Sequence, residues 1–392
     1  MDSRLRGNDN MRLVKPFLVL TIAFILISCN EGISVGAEQT ALYEKLLKDK
    51  KVALVVNQTS VVKGQHLITA LTAKKIAVAK IFTPEHGFEG QLDAGESVGN
   101  SQHKKTDIPI VSLYGKKKKP LPEDLKGIEV IVFDIQDVGI RFYTYISTLH
   151  FIMEACAENN IKLIVLDRPN PNGRYIDGPI LDMSLKSFVG MHPIPIVYGM
   201  TIGELATMIN GEEWLAKKSI CDLTVIPVKN WNHRMSYHLE IPPSPNLKTD
   251  VSIALYPSLC LFEGTNVSVG RGTDHPFELI GHPQHPIQNF KFIPQPNRGA
   301  KNPKHNGKVC FGNDLSKTTP QYLFTLSYLI DFYQKSPLPQ NFFNDYFNKL
   351  AGNRILKQQI IDGMSEKEIK KTWTTQLEKF KKTRKKYLLY ED

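Results

Sequence analysis

Polar and apolar positions alternate along the first two-thirds of the chain in blocks, and each block has a readable period. Residues 51–57 (KVALVVN) form an unbroken apolar run ending in a polar residue, the pattern of a strand covered on both faces. Residues 67–74 fit a short helix and 76–82 the next strand, with further strands expected at 108–113 and 129–133. Ile146, Leu149, Met153 and Cys156 recur at helical spacing and predict a helix over 145–158, followed by a buried strand at 162–166 (KLIVL). Thr201 and Glu204 form a capping-box pattern that opens a helix running to about Asn210, and 223–228 closes the series as a strand. Strands alternating with helices imply βαβ units. The fold class is α/β, with a doubly wound, mostly parallel sheet. The prolines of Pro242-Pro243-Ser244-Pro245-Asn246 interrupt this pattern. Beyond them come Gly/Asn-rich turns, a Pro/His-rich stretch at 282–296 and a helical tail, so a domain spans 46–250 and a smaller mixed α/β domain 251–392.

The N-terminus follows a different logic. From Met11 the chain shows Arg12 and Lys15, then an apolar stretch from Phe17 to Ile27, then Leu26-Ile27-Ser28-Cys29. A short basic region, an apolar core too short to span a bilayer comfortably and a small residue before the cut describe a signal peptide over 1–28, with 1–10 a mis-assigned start. Cys29 sits where a bacterial lipobox places its lipidated residue, and 29–45 would be the lipidated N-terminus and linker. An uncleaved anchor helix is the alternative. Asn30 after the cysteine, by likeness to enterobacterial sorting, points to the outer rather than the inner membrane. The expected location is periplasmic, held to the membrane through the lipid.

Export changes how the charge is read. The chain has a formal net charge of +10, and removal of 1–28, with four basic and two acidic residues, leaves +8. Much of the excess sits at Lys116–Lys119 and along Lys367–Lys386, as solvated basic faces suited at most to an anionic polymer such as cell wall. Nucleic acid is excluded as a natural partner by compartment. An oxidising compartment permits a disulfide among Cys156, Cys221, Cys260 and Cys310, yet Cys156 and Cys260 lie in apolar contexts typical of buried thiols, and no metal-type cysteine spacing occurs.

Polar residues collect where the predicted strands end, which is where open α/β sheets bind ligands. Asn57 with Gln58 and Thr59 ends the first strand, and Glu85 with His86 follows the second inside Pro84–Gly87. Asp134, Gln136 and Asp137 follow the fourth, with Gly139, Arg141, Tyr143 and Tyr145 close behind; Asp167-Arg168-Pro169-Asn170 ends the fifth. In the second domain Glu263 and Asn266 follow an apolar run, and a glycine-rich loop carries Arg271 and Asp274, a pattern that also suits a local ion pair. The dinucleotide fingerprint G-x-G-x-x-G is missing after the first strand, so no cofactor is expected. A cleft rich in carboxylates, Asn, Arg and Tyr suits a sugar polymer, because glycosidic cleavage needs one carboxyl group to protonate the leaving oxygen and a second group as base, nucleophile or stabiliser. Glu85 beside His86 is a candidate proton-transfer pair. Arg141 and Arg271 could fork onto a substrate carboxylate, and Tyr143 and Tyr145 could stack on sugar faces.

Five ordered segments, FTPEHGFEG (82–90), VFDIQDVGIRFYTYI (132–146), LDRPNPNG (166–173), PPSPN (242–246) and LFEGTNVSVGRGT (261–273), resemble the NamZ family of exo-β-N-acetylmuramidases. The resemblance runs from about residue 45 to near the C-terminus. It implies a Rossmann-like domain, a smaller C-terminal domain, a cleft between them, and release of N-acetylmuramic acid from the non-reducing ends of peptidoglycan fragments. It also implies that Glu85 is the catalytic carboxyl group; no metal is expected, since no H-E-x-x-H or comparable spacing occurs. His86, Asp134 and Asp137 then stand as further catalytic candidates, and Asn57, Arg141, Tyr143, Glu263, Asn266 and Arg271 as substrate-binding ones. Asn57 and Asn170 could equally cap helices. Two other readings stay open: a metal-dependent hydrolase using Glu85, His86, Asp93 and His275, and a wall-binding lipoprotein without turnover.

Overall fold

The continuous apolar runs become the centre of a sheet whose two faces are both covered. In the computed structural model, which describes residues 32–93, 101–103 and 105–392, the main sheet contains seven strands: β1 Lys51–Val56, β2 Ala77–Thr83, β3 Ser101–Gln102, β4 Pro109–Ser112, β5 Val130–Asp134, β6 Lys162–Leu166 and β7 Leu223–Ile226. Their order is β3-β4-β2-β1-β5-β6-β7, parallel throughout except for the two-residue edge strand β3. The period of two divides each central strand between two cores. Ala53 and Val55, Ile131 and Phe133, and Leu163 and Val165 face one core; Val52, Leu54 and Val56, Val130 and Val132, and Ile164 and Leu166 face the other. The second core is closed by helices α1 Thr40–Leu47 and α2 Leu67–Ala73, through Tyr43, Leu47, Leu67 and Leu71. The first is closed by α3 Tyr145–Asn159 and α4 Ile202–Gly211, the latter opened by the Thr201–Glu204 capping box.

This first core does not stop at the proline cluster. It continues through helix α5 Asp250–Leu259 and the turn 260–264 to Phe324, Phe332, Phe347 and Trp373, and Ile33–Asp392 form one compact unit. The C-terminal portion carries a three-stranded antiparallel sheet, with Cys310–Asp314 between Leu279–His282 and Lys291–Phe292, and four α-helices among the described residues. The last of them, Glu366–Arg384, explains the lysine-rich tail: Ile369, Trp373, Leu377 and Phe380 recur at helical spacing and are buried, while Lys371 and Lys379 between them are exposed and Lys370 pairs with Asp177 at 2.8 Å. The chain then returns to the main sheet, where Tyr390 Oη donates to Asp167 Oδ2 at 2.6 Å and Arg384 forks onto Asp392.

Cys156, Cys221, Cys260 and Cys310 are all buried free thiols. No helix among the described residues is long and apolar enough to cross a membrane. The signal segment, Cys29 and Asn30 lie outside the described residues.

Candidate active site

Three carboxyl ends on one side of the sheet, those of β2, β4 and β5, converge with the turn after α5 on a cavity of about 760 Å³. The turn after β2 is shaped by its backbone: His86 adopts φ +70° and Gly87 φ +72°, in the left-handed region that is costly for a non-glycine residue. That geometry is closed by His86 Nδ1, 2.7 Å from the Leu92 carbonyl, so Nδ1 carries the hydrogen and Nε2 is the accepting nitrogen. Burial holds the His86 imidazole below its usual pKa, with Glu85 pulling the other way. Glu85 is buried and lines the cavity; its Oε2 accepts a 2.6 Å hydrogen bond from Thr144 Oγ1 at the start of α3. The strand-end turn and the helix start are thus fastened together by the candidate catalytic carboxyl group itself.

The opposite wall comes from the C-terminal portion. Arg271 lies between two carboxylates, with Nη2 3.1 Å from Asp93 Oδ1 and Nη1 3.7 Å from Glu263 Oε1. Burial works against its charge, but Glu263 and Asp93 outweigh that and hold its pKa above the usual value. Lys304 donates to three backbone carbonyls, those of Phe262, Thr265 and Val267, at 2.6–3.1 Å. Aromatic side chains complete the lining: Tyr114, Phe142, Tyr143, Phe188, Tyr256, Phe277 and the exposed Tyr346. Tyr143 and Tyr145 meet edge to face at 4.8 Å. Tyr145 Oη donates to the Pro243 carbonyl, which ties the proline cluster to the site; Ser244 and Asn246 of that cluster line the cavity.

The structure brings Glu85, His86, Asp93, Tyr143, Tyr145, Glu263 and Arg271 to this cavity and places the other candidates elsewhere. Asp134 is fully buried in a two-point ion pair with Arg168, Nε to Oδ1 at 2.6 Å and Nη2 to Oδ2 at 3.0 Å, so both oxygens are occupied. Arg141 is fully buried away from the cavity; both of its Nη atoms donate to the carbonyls of Pro179, Ile194, Leu350 and Ala351, and only its buried Nε is unpartnered. Asn57 is buried in its own turn, its Oδ1 accepting from Thr59 N and Oγ1 and its Nδ2 donating to Tyr145 Oη. Asn266 lines a separate small cleft, and its backbone joins Phe342 and His305. Asn170 Oδ1 accepts from Asn172 N and Nδ2 donates to the Met200 carbonyl; a side chain at Gly139, φ +75°, would collide with that amide.

Asp137 is likewise structural. Its Oδ2 accepts from the Gly139 amide at 2.6 Å and from Tyr198 Oη at 2.5 Å, while its buried Oδ1 has no partner. Burial pushes this carboxyl up to about 7, against those two hydrogen bonds, from 3.8 in an unperturbed aspartate. The folded protein therefore retains a proton that the unfolded chain has released, and stability falls as pH rises from about 4 to about 7. Between about pH 5 and about pH 8 urea midpoints should drop more in the parent than in Asp137→Asn. Parallel curves for the two proteins would show that the carboxyl group does not carry this proton.

Of the four residues proposed for a metal, Glu85, His86 and Asp93 line the cavity and His275 does not. Asp93 is held by Arg271 and by the Lys301 amide, and His275 pairs with Glu278 at 2.9 Å away from the cavity lining. Among the described residues no group of three or more His, Cys, Asp or Glu could hold a metal ion. The sequence reading missed Thr144, Lys118, Tyr256 and Lys304. Thr144 lies inside a segment it had singled out, whereas Tyr256 sits in an apolar run indistinguishable from core, and the two lysines sit in surface-like basic stretches.

Residues 52–251 match the family model described as exo-beta-N-acetylmuramidase NamZ, N-terminal, and residues 254–390 match its C-terminal counterpart. The chain belongs to the NamZ family. It is 40% identical over 376 residues to the peptidoglycan beta-N-acetylmuramidase NamZ of Bacillus subtilis (strain 168), covering 89% of each protein. Two solved structures of Bacteroides fragilis DUF1343 family proteins are also similar. One superposes with a TM-score of 0.86 at 47% identity, covering 92% of this chain and 99% of that one; the other gives 0.78 at 28% identity with the same coverage. The meeting point of the two NamZ matches, between 251 and 254, falls in the first turn of α5.

Proposed function

We propose that this protein is an exo-acting glycoside hydrolase that releases N-acetylmuramic acid from the non-reducing ends of peptidoglycan fragments, with Glu85 as its key catalytic carboxyl group. The observation that carries the reading is the placement of Glu85, on a turn closed by His86 and anchored by Thr144, in the wall of a sugar-sized cavity of a NamZ-family chain. Glu85 is in position to exchange a proton with a glycosidic oxygen. His86 supports it with a neutral imidazole, and Glu263 is a second carboxylate on the facing wall. The aromatic rings give sugar faces an apolar surface to rest on. The test is to give the domain from residue 33 onward a β-linked N-acetylmuramic acid–N-acetylglucosamine disaccharide and follow the products by mass spectrometry. Free N-acetylmuramic acid is expected, and none from a trisaccharide capped at its non-reducing end by N-acetylglucosamine. Absence of release from the disaccharide and from longer muramic-terminated fragments would end the proposal.

The same reading places the enzyme where its substrate is. Arg12 and Lys15, the apolar stretch 17–27 and Ser28-Cys29 support export and lipid attachment at Cys29, and Asn30 supports retention at the outer membrane. Mass spectrometry of the N-terminal peptide from whole cells should find a diacylglyceryl-modified Cys29, and Cys29→Ser should move the protein from the membrane fraction to the soluble one. An unmodified peptide that still contains residues 11–28 would favour the anchor helix instead.

A further inference from the structure

N-acetylmuramic acid differs from N-acetylglucosamine by a lactyl ether on O3, which carries a carboxylate when it is unsubstituted. An anion entering this cavity meets Glu85, Asp93 and Glu263, so its carboxylate can be accommodated only against a cation that is not already neutralised. Among the described residues three lysine or arginine side chains line the cavity: Lys118, Arg271 and Lys304. Arg271 is shared between Asp93 and Glu263, and Lys304 directs its three N–H bonds to the Phe262, Thr265 and Val267 carbonyls. Lys118 differs from both. Its ammonium rests 4.7 Å from the centre of the Phe188 ring, a contact that takes up none of its N–H bonds.

Local structure explains why this one lysine of the run at 116–119 faces the site. Lys117 pairs with Asp124 at 3.0 Å and Lys119 with Glu158 at 2.7 Å, which pins the backbone on either side of Lys118. The aromatic platform under it is fixed as well. Phe188 stacks on Phe151 of α3, with the rings 14° from parallel, and its carbonyl accepts from Ser147 Oγ at 2.7 Å. The flanking lysines spend their charge on carboxylates of the fold, and the middle one brings an unspent charge to the cavity.

We propose that Lys118, and not either arginine suggested by the sequence, is the specificity-determining residue that reads the lactyl carboxylate of the terminal sugar. The inference rests on the muramidase reading above. Its test compares two chromogenic aryl β-glycosides of N-acetylmuramic acid, one with the free lactyl acid and one with its methyl ester, on the parent, Lys118→Met and Lys118→Arg. A charge-assisted hydrogen bond of this kind should give the parent a preference in kcat/KM of about 10- to 100-fold for the acid over the ester, carried mainly by KM. Lys118→Met should abolish that preference, and Lys118→Arg should restore part of it. Because the readout is a ratio between two substrates in one protein, general damage to the fold cancels. A parent preference that survives in Lys118→Met, or a parent with no preference, would overturn the assignment while leaving the glycosidase in place. A parent that turns over neither glycoside would remove the muramidase reading and this inference with it.

Discussion

Glu85→Gln should yield a folded protein that releases N-acetylmuramic acid about 100- to 10,000-fold more slowly than the parent. Glutamine keeps the shape of the side chain, and its carbonyl oxygen can still accept from Thr144 Oγ1, so the junction between the β2 turn and the start of α3 survives. An amide, however, can neither hold nor return a proton at the glycosidic oxygen, and it carries no charge to stabilise an oxocarbenium-like transition state. Thermal unfolding of the two proteins should agree closely, and KM should change little compared with kcat. If the folded variant released sugar at the parent's rate, the enzyme would stand but its chemistry would have to move to another carboxylate, with Glu263 and Asp93 the others lining the cavity among the described residues.

The largest stability effect is expected at Arg141, which from the sequence alone reads as a substrate ligand. Its guanidinium is fully buried without a carboxylate partner, and burial lowers it to about 9. Nη1 binds the Pro179 and Ile194 carbonyls at 2.6 and 2.9 Å, and Nη2 binds those of Leu350 and Ala351 at 2.9 and 2.8 Å. One side chain therefore satisfies four carbonyls from two sequence regions that lie more than 150 residues apart. Arg141→Met removes a costly buried charge but takes the donor from the Pro179, Leu350 and Ala351 carbonyls, Ile194 keeping the Leu181 amide, so a net loss of about 3–5 kcal/mol is expected. Urea denaturation would show it as a lower midpoint with an unchanged slope. Unchanged stability together with a raised KM would mean that Arg141 reads substrate after all.

Much of the scaffold was legible because it follows from local periodicity. KVALVV and KLIVL are buried on both faces wherever a parallel sheet forms, and the structure shows them as β1 and β6 at nearly the residues expected. Edge strand β3 was not legible, since two residues carry no period, and α1 lay in a stretch assigned to a linker. The continuity of one core across the proline cluster was hidden as well, because hydrophobic residues do not announce which neighbour covers them.

The candidate site divides along the same line. Glu85 and His86 stand out in sequence because a proline, a carboxylate, an imidazole and a glycine together make a shaped turn at a strand end, and local chemistry is enough to suggest a proton-transfer pair there. Asp134, Asp137, Asn57 and Arg141 stand at equally suggestive strand ends, yet Arg168, Tyr198, Thr59 and four carbonyls claim their polar atoms. For Lys118 the outcome is reversed: within four consecutive lysines only folding decides that Asp124 and Glu158 neutralise its neighbours and Phe188 supports it at the cavity wall. The sequence by itself determined the alternating α/β scaffold and the turn that carries Glu85, because both depend on residues adjacent in the chain. Which polar groups remain available to a substrate was decided only by tertiary structure, because a hydrogen-bonding group is free or spent according to partners that are distant in sequence.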